Sequence, residues 1–274
     1  MGETARGVAV TRVRGGVRAT GVDRAATEEP LEVRLHGRPF AVIMRTPGAD
    51  CQLAAGFLLA ERLVTSPDDI GTIEHCTDPA ADHPENIVDV TLVGADLERL
   101  LADRRRIITS SSCGMCGRLT IESLRADGPR LPCNMVVTPR VVNALPAALR
   151  AAQAVFEETG GLHAAGLFTT GGRLEAIAED VGRHNAVDKV VGRMLLSEAL
   201  PLEQYLLFVS GRTSFEIVQK AFLAGIPIVA SVSAPSSLAI ELALDTGITL
   251  IGFVRGGSFN VYAYPERVTA ESGE

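Results

Sequence analysis

The stretch Ser110-Ser-Ser-Cys-Gly-Met-Cys-Gly117 sets two of the chain's five cysteines, Cys113 and Cys116, three residues apart among glycines and hydroxyls. Such a pair supports half of a structural zinc site, part of a catalytic zinc site, a redox dithiol, or a nucleophilic thiolate. Structural zinc usually needs a second pair. Cys51, Cys76 and Cys133 are scattered and supply none. Zinc deaminases combine H-x-E with a later P-C-x-x-C. His83-Pro84-Glu85 echoes the first half, but Ser112 stands where the proline belongs. His163-Ala164-Ala165 lacks the carboxylate and follows the cysteines. A thioredoxin-type dithiol usually follows an aromatic residue, and none is near. The nucleophile reading remains. Arg104, Arg105, Arg106 and Arg118 flank the pair, and "RLTIESL" reads as a helix just beyond it. Cations and a helix N-terminus lower a thiol pKa from about 8.5 toward ~7 or below.

A second group of residues suits phosphate. "QYLLFVS", "IPIVASVS" and "ITLIGFV" are continuous apolar runs, as in parallel strands covered on both faces. Helical stretches follow the first two, ending at Gly225 and Gly247. Strand-to-helix junctions of such a sheet emerge at one edge, where ligands bind. Here the junctions are Ser210-Gly211-Arg212-Thr213-Ser214, Ser231 to Ser237 (with Ser233), and Arg255-Gly256-Gly257-Ser258. Arg212 and Arg255 bring fork-shaped donors for phosphate. A nucleotide-bearing ligand fits this edge. "EDVGRHNAVDKV" places Asp180, Arg183, His184, Asn185, Asp188 and Lys189 around a helix start. His184 and Asp188, four apart, share a face, and a carboxylate there would read the hydrogens of guanine.

The elements that carry these residues read as mixed α/β. Residues 1–28 form an arginine-rich loose arm without clear periodicity. A small α/β region spans 29–107: a hairpin of Leu31–Leu35 and Phe40–Met44, a helix capped by Asp50 with Cys51 on its apolar side, a strand over 86–93, and a helix over 95–105. The larger region spans 108–264. It holds one helix over 144–161, strands over 162–170 and 173–181 joined at Gly171-Gly172, and a helix whose stripe is Val187, Val190, Val191, Met194 and Leu195. Thr213 and Glu216 match a capping box, and Pro235 suits a first helical turn. Residues 265–274 read as a tail.

Composition narrows the function classes. With 274 residues, 46% of them apolar, the core needs neither disulfides nor metal. A net charge of −7 without a long basic stripe argues against nucleic-acid binding. No apolar run reaches membrane-spanning length, and the N-terminus lacks a signal-peptide core. A cytoplasmic protein is expected. Only Lys189 and Lys220 are lysines, and both fall in the motifs above.

Taken together, "SSSCGMCG", "GLHAAGLF", "EDVGRHNAVDKVVG", "SGRTSFEIVQKA", "GIPIVASVSAPSSLAIELA" and "GITLIGFVRGGSFNVY" closely resemble the formate dehydrogenase accessory sulfurtransferase family (FdhD/NarQ), over residues 28 to 264. The resemblance implies a cytidine-deaminase-like three-layer core without the zinc, a homodimer, and a sulfur relay. A cysteine desulfurase donates sulfur, Cys113 carries it as a persulfide, and Cys116 resolves it. The recipient is the molybdenum bis(molybdopterin guanine dinucleotide) cofactor, which then serves formate dehydrogenase. The family's cofactor-binding stretch maps onto Phe253, Val254, Arg255, Gly256, Gly257 and Ser258. The competing class is a cofactor-binding chaperone whose cysteines only clamp.

Overall fold

The computed structural model describes residues 2–94, 129–132 and 134–269. Cys113, Cys116, Cys133, the flanking arginines, the expected 95–105 helix and the boundary at 107 lie outside these residues. Among the described residues there are twelve strands and six helices.

A six-stranded sheet carries the larger region. Its strands are β7 (His163–Thr169), β8 (Leu174–Asp180), β9 (Tyr205–Val209), β10 (Ile228–Ser231), β11 (Thr249–Arg255) and β12 (Ser258–Ala263). They lie in the order β12-β11-β10-β9-β7-β8. Strands β9, β10 and β11 are parallel, and the outer pairings are antiparallel. Side chains alternate along each strand, so every second residue serves the opposite face. Leu206 and Phe208 of β9 join Leu145 and Leu149 in one core, while Leu207 and Val209 join Val187, Val190 and Val218 in the other. Both faces are covered, which explains the unbroken apolar strands. The three-layer α/β architecture is the expected one.

One face is covered by α2 (Pro139–Ala151). The other is covered by α4 (Arg183–Leu196), α5 (Phe215–Leu223) and α6 (Ser237–Thr246), with α1 (Asp50–Ala60) against α4. Helices α1 and α4 meet at glycines. A Cβ on Gly56 would strike the Asp188 carbonyl, and one on Gly192 the Gln52 carbonyl. A four-stranded sheet, in the order β4-β3-β6-β5, caps α1 with β3 (Glu29–Leu35), β4 (Arg38–Arg45), β5 (Ile70–His75) and β6 (Ile87–Leu92). Its Leu31, Val33, Val88 and Val90 belong to the same continuous core as α1 and α4.

Several local expectations are corrected. The N-terminal arm is an antiparallel ribbon, β1 (Ala5–Arg14) with β2 (Val17–Ala26), paired in full register. Its outer part is exposed on both faces, so no apolar alternation marks it in the sequence. Asp50 is not the cap of α1. Ala49 stands there with φ 56°, and Asp50 is buried against Arg45, which donates to both carboxylate oxygens at 3.0 Å. The single helix expected over 144–161 breaks at Ala152-Gln153 into α2 and α3 (Ala154–Thr159). The capping box at Thr213 does not form: Ser214 is the N-cap of α5. Pro235 lies ahead of α6, whose cap is Ser236, accepting from Ala239 N at 3.2 Å. Residues 265–269 are no loose tail, since Val268 bridges to Val137.

Candidate functional site

The carboxyl edge of β9, β10 and β11 gathers the polar junctions, and backbone bonds stitch them together. Thr213 N donates to Ala234 O at 3.3 Å, and Ser236 N to Thr213 O at 3.0 Å. Phe253 N donates to Ser233 O at 3.1 Å. Ser210 Oγ accepts from Ala164 N at 2.9 Å, extending the β7–β9 pairing by one residue. Gly211 packs closely here: a Cβ there would stand 3.3 Å from His163 Nδ1 and 3.5 Å from Arg183 Cδ. These bonds bring Ser210, Gly211, Arg212, Ser233 and Phe253, all expected at the ligand-binding edge, together on one edge of the sheet. His163 and Arg183 join it.

The electrostatics favour an anion. Arg183 and Arg212 have no carboxylate partner among the described residues, and the buried Nε of Arg183 has no hydrogen-bond partner. By contrast, Arg45, Lys189 and Lys220 are all ion-paired. Burial lowers the pKa of His163, and the charges of Arg183 and Arg212 lower it further. Burial, then Arg183, Lys220 and His163, push His184 down to about 3. Both imidazoles are neutral near pH 7. The neutral His184 ring spans two partners, with Ser214 Oγ 3.0 Å from Nε2 and Glu216 Oε2 3.3 Å from Nδ1.

Three predicted ligand-binding residues are placed elsewhere. Asp188 is 3% exposed, and both its oxygens accept from Lys220 Nζ, at 2.7 and 2.9 Å. Burial pushes its carboxyl up to about 7 against the pull of Lys220. Against the downward effect of burial, Asp188 and Glu216 hold the Lys220 ammonium above its ordinary range. Asp188 thus serves an internal pair and not a guanine edge. Lys189 is equally buried. It pairs with Asp180 at 2.7 Å and donates to Thr46 O at 2.7 Å, tying the strand β4 connection to the main sheet. Val254 is fully buried in the α2-side core. Arg255, Gly256, Gly257 and Ser258 form the exposed β11–β12 turn. It needs glycine at φ 60° and 77°, and it is linked to the crevice by Arg255 stacking over the Phe253 ring at 5.3 Å.

In the sequence Arg183 reads only as one member of a cluster, and His163 only as a candidate metal ligand. The readable signal for Arg183 was an arginine at a helix start directly after Gly182. Nothing local marks His163, which the β7–β9 pairing brings within 3.5 Å of Ser210 Oγ, 47 residues away.

In open α/β sheets ligands bind at the carboxyl edge of the parallel strands, and in this three-layer fold that edge carries Arg183, Arg212, His163 and His184. The FdhD/NarQ family model matches residues 26–269. A sulfur carrier protein FdhD of Streptomyces coelicolor is 49% identical over 278 residues, covering 98% of this chain and 97% of that protein. Those of Anaeromyxobacter dehalogenans and Sulfurisphaera tokodaii are 50% and 46% identical, over 94% and 95% of this chain and 92% and 98% of theirs. A crystal structure described as that of a formate dehydrogenase accessory protein from Desulfotalea psychrophila superposes with a TM-score of 0.77 at 26% identity, covering 97% of this chain and all of that one. The chain belongs to the FdhD/NarQ family.

Proposed function

We propose that this protein is a sulfurtransferase that moves persulfide sulfur onto the molybdenum bis(molybdopterin guanine dinucleotide) cofactor destined for a formate dehydrogenase. The observation that carries the cofactor half is the stitched edge bearing Arg183 and Arg212 unpaired beside two neutral histidines. That combination suits the diphosphates of a dinucleotide. The sulfur-carrier names of relatives near half identity, together with Cys113-Gly-Met-Cys116, support the other half.

In this reading the Cys113 thiolate attacks the outer sulfur of a cysteine desulfurase persulfide. The S–S bond breaks, and the desulfurase thiolate leaves. The Cys116 thiolate then attacks the inner sulfur of the Cys113 persulfide. A Cys113–Cys116 disulfide forms, sulfide departs to the metal, and the dithiol gives up two electrons. A cellular thiol reductant restores the pair. The cofactor is the substrate of this step, and its charge is met by Arg183 and Arg212. We further propose that the protein works in the cytoplasm as a homodimer. Among the described residues no helix is long and apolar enough to cross a membrane.

The test is maturation of a formate dehydrogenase in a strain lacking the endogenous protein. Cys113→Ala abolishes activity while retaining nucleotide binding, and Cys116→Ala lowers it partly. Full activity from Cys113→Ala contradicts the assignment.

A further inference from the structure

The ribbon β1–β2 is fixed to the body only at its base. Arg24 pairs there with Glu158 of α3, and Thr27 N donates to Thr4 O at 2.9 Å. From Thr11 to Thr20 every residue is exposed. Val13, Val17 and Val22 are 61%, 71% and 68% exposed. A two-stranded ribbon bare on both faces is marginally stable in water, so a surface that covers it stabilises it. The ribbon precedes the stretch matched by the family model, which begins at residue 26. Its charge is opposite to that of the rest of the molecule. Ala5 to Ala26 holds five arginines and one aspartate, in a chain of net charge −7. Asp23 takes Arg12, and Glu158 and Glu3 take Arg24. Arg14 and Arg18, on either side of the Gly15-Gly16 turn, have no carboxylate partner among the described residues. The complementary charge lies at the rim of the four-stranded sheet, where β5 is the outermost strand. Glu74 on β5, and Asp78 and Asp82 in the loop after it, are exposed and have no cationic partner among the described residues. No ion pair among the described residues joins the two sets within one chain.

We propose that the ribbon is an arm that docks on a second copy of this chain, with Arg14 and Arg18 of each protomer meeting the Glu74, Asp78 and Asp82 rim of the other. A second copy is the occupant because every copy carries both halves of the match at equal concentration. Two-fold symmetry makes the contact twice. The charges set register and encounter, and burial of Val13, Val17 and Val22 supplies the apolar part. The inference rests on the homodimer proposed above and names the surface that makes it; the sulfur relay does not depend on it.

The test is sedimentation velocity of the full-length protein and of two charge-reversed variants. One carries Arg14→Glu with Arg18→Glu, and the other Asp78→Arg with Asp82→Arg. Wild type is expected to be a dimer that weakens as salt rises, because exposed charges are screened. Each variant alone is expected to raise the dimer dissociation constant by at least about tenfold, since like charges then face each other. Mixing the two variants restores a dimer, because each reversed ribbon then meets a reversed rim and each native ribbon a native rim. A chain carrying all four substitutions likewise dimerises with itself. A variant that had merely lost its fold would not be rescued by mixing. If the ribbon variant dimerises as wild type does, the arm assignment fails and the homodimer reading stands. If both variants are monomeric and mixing restores nothing, the pairing of ribbon with rim fails. If wild type is monomeric, the arm and the homodimer both fail.

Discussion

His184 illustrates how one residue's surroundings decide what it does. Its type and spacing suggest a ligand, but its ring sits between Ser214 and Glu216 beside Arg183. Burial and that arginine hold it neutral, with a pKa of about 3. NMR titration of the imidazole carbons is expected to show no protonation of His184 between pH 7 and 5; a midpoint near 6.5 contradicts the geometry. The sign for stability follows. The unfolded chain takes up this proton near pH 6.5, while the folded chain refuses it until about pH 3. The contribution of His184 is therefore present above pH 6.5 and is lost as the pH falls toward 3. Asp188, raised to about 7, works in the opposite direction: its contribution is present below the ordinary carboxylate pKa and fades as pH rises through about 7. The two are separated by comparing denaturation of wild type and His184→Gln at pH 7 and 5. Wild type loses more stability on acidification than the variant does. Arg183→Ala and Arg212→Ala each weaken GDP by ~1.5–3 kcal/mol by calorimetry, the scale of a hydrogen bond to a charged group. Unchanged binding in both means that the phosphates sit elsewhere.

At the scale of elements, what was legible depended on how local the cause is. The parallel strands were readable because burial on both faces leaves an unbroken apolar run in each. The stripe of α4 was readable from its 3.6-residue period. The break of α2 from α3 was not. No glycine or proline marks it, and it is set by Glu179 reaching from β8 to hold the start of α3. The ribbon β1–β2 was unreadable because its exposed strands bury little on either face. Asp188 was misplaced for a related reason: its partner, Lys220, comes from another helix 32 residues away. That pair yields a prediction at this scale. Lys220→Met leaves a buried carboxylate short of its main partner and costs about 3–5 kcal/mol, whereas Asp188→Leu with Lys220→Met recovers most of it. Equal losses in the single and double variants, measured by urea denaturation, argue against a buried pair.

For the molecule as a whole, close contact between α1 and α4 joins the four-stranded sheet to the six-stranded one. Gly192→Ala is expected to destabilise the whole fold by at least ~1–3 kcal/mol, because the obstacle is the backbone carbonyl of Gln52 and not a movable side chain. One cooperative thermal transition at lower temperature is the expected readout; an unchanged transition would mean the helices are not held that closely. The sheet edge was legible in the sequence as three small polar junctions; the structure joins the first two by backbone bonds and makes the third, Arg255 to Ser258, an exposed β11–β12 turn. The cysteines were legible by spacing alone, and their role rests on chemistry. The most direct measurement is intact-protein and peptide mass spectrometry after incubation with a cysteine desulfurase and L-cysteine. The account predicts that the protein gains the mass of one sulfur atom, located on Cys113 and reversed by a thiol reductant. The gain persists in Cys116→Ala and is absent from Cys113→Ala. A gain on another cysteine, or none in the wild type, contradicts a persulfide relay through Cys113.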